Sequence, residues 1–356
     1  MRMRSSLVIA ALSLALLPAA TSAQNVDGLG GPLFGLSTAR NGNLLVADAS
    51  VGVIAIRRGK AGVVASLPGV TDVSAISGAA HWAVTGATGG APGGLIDSGQ
   101  GLHRVFRGQP NKLVNLFDFE AANNPDGGAI ESNPFDVQSL GRSRALIADA
   151  AANALLRFTG DGVEVVAVFP LEVVSTASIK QLAGCPNPAP FCSLPPAIPA
   201  QPVPTSIAIA EDGFIYVGEL KGFPAPTGES NIWRIAPHAR GAQCGASADC
   251  VKVFDGGFTS IIDLAFGPDG RLYVAQFDEA SWAAVEIFGT PLGGSIRSCS
   301  LESGVCEDVA SGILHLTAIT FGKDGSLWST RSSLIPGEGQ VVKVRAGDRS
   351  SERIDD

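Results

Sequence analysis

Asp136 and Asp263 each stand inside an otherwise apolar run, PFDVQ and IIDLAF. A buried carboxylate without a partner costs several kcal/mol, so each must accept backbone N–H bonds, meet a cation or hold a ligand. Asn133 and Thr205 open similar runs, Glu219 closes one, and His315 borders another. Among these six, Asn133, Glu219 and Asp263 offer side-chain oxygens suited to a hard cation that collects about six to eight oxygens, the rest from backbone and water. Calcium is therefore the metal to expect, and a calcium ion so held could polarise a carbonyl for hydrolysis. The sequence contains no G-x-S-x-G, no H-E-x-x-H and no Walker-type loop, and none of His81, His103, His238 and His315 has a metal-ligand spacing.

The elements that must position these residues are strands in repeated units. VPTSIAIAEDGFIYVGELKGFPAPTGESNIW, residues 203–233, reads as strand, Asp-Gly turn, strand, Pro/Gly loop and strand. Asp-Gly between apolar runs is a hairpin signal, since the favoured two-residue turn needs positive φ at both central positions. LAFGPDGRLYVAQ, ITFGKDGSLWSTR and GLSTARNGNLLVAD repeat the unit. Six units follow, at about 35–69, 70–119, 133–170, 203–254, 261–313 and 316–346. The second has a Gly-rich insertion at 86–101, and its last strand is read through KLVNLF; the proline-rich stretch 171–202 reads as an extended loop and not as sheet. Near-continuous apolar strands fit sheets covered on both faces, so the fold class is an all-β, six-bladed β-propeller of four-stranded antiparallel blades. A β-sandwich, the alternative, would show stricter alternation. The ring is expected to close through residues 24–29 or the C-terminal tail as the outer strand of blade six.

In such a blade, the turns joining strands 1–2 and 3–4 share one rim, and the 2–3 loops and blade crossings share the other. The first rim collects the tight turns Asn41-Gly42, Asp212-Gly213, Asp269-Gly270 and Asp324-Gly325, with two cysteine loops. Onto the second fall 86–101, 118–132, the proline-rich bridge, 222–229, 277–291 and 332–339. Long loops on a rigid scaffold are where sites are built, so the ligand, a small molecule or a protein, is expected at the second rim. Phe277, Trp282 and Phe288 are read as exposed aromatics there. Asp48 and Asp149 close second strands at equivalent positions and read as architectural, whereas Glu219 at that position precedes the GFPAPTG loop.

Residues 1–23 read as a cleaved export signal, with Arg2 and Arg4, an apolar run of about 11 residues that is too short to span a bilayer, and Thr21-Ser22-Ala23 before the cut. Residues 24–356 then form one domain in the periplasm or outside the cell, with no lipid-attachment cysteine and no membrane insertion. Loss of the two arginines takes the formal charge from −8 to −10. No basic cluster remains, which disfavours nucleic acid and anionic membranes as partners. The six cysteines fall as Cys185/Cys192, Cys244/Cys250 and Cys299/Cys306, and local disulfides are the simplest pairing in an exported chain; zinc would need ligands converging in fours.

DFEAANNPDGGAIESNPFDV (118–137), LIADAAANALLR (146–157), VPTSIAIAEDGFIYVGELKGFPAPTG (203–228) and GFTSIIDLAFGPDGRLYVAQ (257–276) together resemble the ScyD/ScyE family of exported bacterial propellers. The resemblance covers about 35–344; Ala225 departs from a more usual GFPFP, and the cysteine pairs are an addition. It implies the propeller fold and export, and transfers no defined activity. Three functions fit: a binding or accessory protein, a calcium-dependent hydrolase of the lactonase kind, or a protein-interaction platform.

Overall fold

The computed structural model describes residues 29–87, 99–186, 190–345 and 347–349; the expected signal segment and most of the Gly-rich insertion lie outside them. The described chain is a six-bladed β-propeller. Blades one to five each run inner strand to outer strand in chain order, antiparallel at each step, beginning at Leu33, Val70, Pro134, Pro204 and Ile261. Blade six has three described strands, Ile319–Phe321, Leu327–Arg331 and Gln340–Lys343.

Packing explains why the strands read as apolar runs. Six buried clusters lie between consecutive blades, so each sheet is covered on both faces. Leu146, Leu155, Ile207 and Trp233 join blades three and four. Leu33, Val46 and Ile54 of blade one meet Ala318 and Val341 of blade six. That cluster closes the ring, with Leu33 N donating to Ser333 O at 3.0 Å and Thr317 Oγ1 to Leu33 O at 2.7 Å.

Most of the residues expected to supply the outer strand of blade six, 24–28 and 350–356, lie outside the described residues. The C-terminal residues 348–349 pair in parallel with Ala310 and Ser311 of blade five. Residues 242–243 do the same to blade three, in register with Ala167 and Val168. In both cases chain from beyond a blade reaches back to cover the outer edge of the preceding sheet, where unpaired N–H and C=O groups would otherwise face solvent.

The tight turns also differ in detail. Only the glycine is left-handed, with φ of 86° at Gly42 and Gly213, 75° at Gly270 and 76° at Gly325. Each glycine N–H donates to the carbonyl three residues earlier, and the preceding Asn or Asp accepts from the amide two residues on, as in Phe214 N to Asp212 Oδ1 at 3.1 Å. These are three-residue loops with a bulge at glycine, and the acid serves as a side-chain turn, not as a second positive-φ position.

Two further readings are corrected. The last strand of blade two stops at Asn115, whose side chain caps helix α1, Leu116–Asn123, by accepting from Phe117 N at 3.0 Å and Asp118 N at 3.3 Å. The proline-rich bridge contains sheet, since Glu172–Ser175 pairs with Ala197–Ala200 around a short helix and the Cys185–Cys192 disulfide. A two-stranded ribbon has only edges, so Pro199 can sit opposite Val173 without breaking an interior ladder. Cys244–Cys250 and Cys299–Cys306 are formed as the spacing suggested.

Candidate functional site

The first residues of each inner strand occupy equivalent levels around the axis. At the second level, Thr71, Thr205 and Thr317 alternate around the ring with Phe34, Phe135 and Ile262. Each threonine turns sideways and donates at 2.7 Å to the carbonyl that opens the next blade's inner strand, those of Pro134, Ile261 and Leu33. The bulky residues fill the axis between them, with the Phe34 and Phe135 rings edge to face at 5.9 Å. Six large side chains would not fit at one level of a six-bladed ring, and alternation with a small, hydrogen-bonded residue resolves the crowding.

One level further in stand Asp72, Asp136 and Asp263. Each bridges to the following blade by accepting from the amide of its fourth-level residue: Val137 N to Asp72 at 2.9 Å, Ile207 N to Asp136, and Ile319 N to Asp263 at 2.7 Å. Gly35 holds this level in blade one because a Cβ there would lie 2.0 Å from Asp72 Oδ1. These aspartates thus serve as inter-blade ties, and they also face a central cavity of about 570 Å³.

The cavity starts at the Phe34, Phe135 and Ile262 level and runs along the inner strands to Thr38, Ser139, Ile209, Phe266 and Phe321, near the first rim. Its polar wall includes Ser37, Ser74, Gln138 and Thr320, and the hydroxyls of Ser37 and Thr38 have no hydrogen-bond partner. No lysine, arginine or histidine is among its described lining residues.

Burial pushes all three carboxyl groups up. Asp72 is raised well above the ordinary range by desolvation and then by the negative charge of Asp136, with which it is in hydrogen-bond contact. Desolvation raises Asp136 to about 6, moderated by hydrogen bonds from Asp72, Ile207 N and Gln138. Asp263 is raised by burial and by Asp136.

Of the residues singled out in the sequence, Asp136, Thr205 and Asp263 line this cavity, while Asn133, Glu219 and His315 do not. Asn133 Oδ1 instead accepts from Ala87 N at 2.9 Å, and its own amide donates to Asp149 Oδ1 at 2.7 Å. His315, on the crossing into blade six, is half-buried and held neutral by burial, which lowers its pKa.

Glu219 is wholly buried and committed to neighbours: Lys221 Nζ at 2.7 Å and Asn231 Nδ2 at 2.8 Å on one oxygen, Trp233 Nε1 at 2.6 Å on the other. Lys221 also donates to Glu172 of the insertion hairpin, which Lys252 meets from the other side at 2.6 Å. Burial raises the Glu219 carboxyl and the Lys221 ammonium pulls it back; for Glu172 the two lysines outweigh burial and bring it below the ordinary value. The network anchors the GFPAPTG loop and the hairpin to blade four.

Asn133, Glu219 and Asp263 therefore do not share a volume. Among the described residues no three His, Cys, Asp or Glu side chains converge on a metal position. Asp48 is architectural as read, taking the amides of Gly30, Gly31, Ser50 and Val51, and Asp149 takes Ser132 Oγ, Asn133 N and Ala152 N. Phe277 is buried at 3 % exposure, and Trp282 and Phe288 pack into an apolar cluster with Phe191, so they are not an exposed aromatic surface. Asp72 escaped the sequence reading, although VTDVS repeats the placement of aspartate in PFDVQ and IIDLA.

The architecture defines the class, a six-bladed β-propeller with an axial acidic cavity. No protein-family model and no curated protein matches the sequence. Solved structures similar to it are also propellers. The soluble aldose sugar dehydrogenase of Escherichia coli is 12% identical, with TM-score 0.52, over 91% of this chain and 99% of that one. The PQQ-bound aldose sugar dehydrogenase of Streptomyces coelicolor is 12% identical, with TM-score 0.51, over 90% and 95%. A gluconolactonase of Xanthomonas campestris is 11% identical, with TM-score 0.53, over 90% and 88%. Identities at this level establish the shared fold.

Proposed function

We propose that this chain is an exported binding or accessory protein, similar to the ScyD/ScyE propellers, whose ligand is a small amine held in the axial cavity. The carrying observation is the set Asp72, Asp136 and Asp263 at one level around the axial cavity, with no basic side chain among the described lining residues. A cationic ammonium entering this space would draw protons off the cluster and replace lost hydration with charge-assisted hydrogen bonds. The free hydroxyls of Ser37 and Thr38 and the rings of Phe266 and Phe321 supply further polar and apolar contacts. Three disulfides support export. A calcium-hydrolase reading would need a ligand set other than Asn133, Glu219 and Asp263.

The test is a thermal-shift and calorimetric comparison of aliphatic diamines and amino sugars with matched neutral sugars and carboxylates. Amines are expected to bind the wild type and to lose about tenfold or more in affinity with Asp136→Asn, in line with loss of a buried charge-assisted bond. Preferential binding of anions, or amine binding that survives Asp136→Asn and Asp263→Asn together, would place the ligand elsewhere.

A further inference from the structure

Helix α1 and the turn after it carry a second group of oxygens, remote from the cavity lining. Glu120 is 1 % exposed and neither carboxylate oxygen has a hydrogen-bond partner. Four residues on, Asn124 Oδ1 is also buried and unpartnered, while its Nδ2 donates to Gly128 O at 3.0 Å. The charged neighbours that act most on Glu120 are both acids, Asp149 and Asp126. Those two are already satisfied, Asp126 by Gly128 N at 2.7 Å and Asn153 Nδ2 at 2.8 Å, and Asp149 by Ser132, Asn133 and Ala152.

Three buried oxygens that lack donors, next to two further carboxylates, form an acceptor-only environment. Buried polar groups are otherwise almost always paired. A proton on Glu120 could satisfy its own oxygen and one acceptor and would still leave an oxygen without a donor, whereas a cation can serve all three. We propose that Glu120 and Asn124 bind a calcium ion at the second rim, with Asp126 and Asp149 supplying surrounding negative charge and backbone carbonyls or water completing the shell. Oxygen donors select a hard cation, and because Glu120 is buried an entering ion must shed much of its water and accept irregular coordination, which calcium does more readily than magnesium. It also sets the affinity in the weak range of extracellular sites, roughly 0.1–1 mM.

The experiment uses the full chain, stripped with EDTA and titrated with calcium chloride to about 10 mM, a range set by that affinity. Melting temperature and calorimetry are the readouts, and magnesium chloride at equal ionic strength is the control. Calcium is expected to raise the melting temperature of the wild type more than magnesium does. Glu120→Gln should bind calcium about tenfold more weakly or worse while keeping a metal-free melting temperature at least equal to that of the wild type, which separates lost binding from lost folding. Asp263→Asn should retain the calcium response. No calcium response in the wild type would overturn the proposal, as would a response that survives Glu120→Gln or vanishes only with Asp263→Asn.

Discussion

Lys221 Nζ lies 2.7 Å from Glu219 Oε2, with side-chain exposures of 1% and 0%. A fully buried ion pair contributes little net stability against an apolar replacement, because desolving both charges offsets their attraction, but removing one partner strands the other. Lys221→Met is expected to destabilise the fold by about 3–5 kcal/mol in denaturant unfolding. Combining it with Glu219→Gln should recover part of that loss, since no uncompensated charge then remains at that position. Equal losses in the single and double variants would mean that Glu172 alone balances Lys221.

The cavity aspartates make stability depend on pH. Burial pushes Asp136 up to about 6 from its ordinary 3.8, and Asp72 and Asp263 are raised in the same sense. A raised carboxyl favours the folded state fully below the unfolded pKa, and that advantage is lost as pH climbs through the folded pKa. Stability carried by this cluster should therefore fall between about pH 4 and pH 7. Asp72→Asn, which can keep an acceptor for Val137 N, should raise stability at pH 8 relative to the wild type and leave it nearly unchanged at pH 4. Chemical denaturation at the two pH values measures this directly.

Glu120 gives a second, separable pH signature. Burial, then Asp149 and Asp126, push its pKa up to about 8 from 4.5, so in metal-free protein its favourable contribution is complete below pH 4.5 and is lost as pH rises to 8. Glu120→Gln in EDTA is expected to exceed the wild type by up to about 4 kcal/mol near pH 7.5, with the two converging near pH 4.5. A constant difference across that range would show that the glutamate does not hold a shifted proton.

The alternation of threonine with bulky side chains predicts that the ring is sensitive at the threonines. Thr205→Val removes the hydroxyl that donates to Ile261 O and keeps the volume, so a loss of about 1 kcal/mol is expected. Thr205→Phe would put a fourth large side chain at the level of Phe34, Phe135 and Ile262 and should cost about 1–3 kcal/mol or more from overpacking. Urea unfolding midpoints of the two variants compare these costs.

The blades were legible in the sequence because their signals are local. Asp269-Gly270 and its counterparts mark the turns, and LYVAQ or IYVGE is a short apolar run covered on both faces. The cysteine pairs were legible for the same reason, since each closes a short loop within one region. Asp136 and Asp263 stood out because a carboxylate in an apolar strand demands a partner, but which partner was set by the adjoining blade, 71 residues away for Asp136 and Ile207 and 56 for Asp263 and Ile319. Only the ring could decide that Glu219 and Lys221 would meet the hairpin of the proline-rich bridge, that Phe34 and Phe135 would meet along the axis, and that residues 348–349 would cover blade five. Those outcomes depend on how much space six sheets leave at each level and on which edges remain unpaired, and neither quantity is a property of any short stretch of chain.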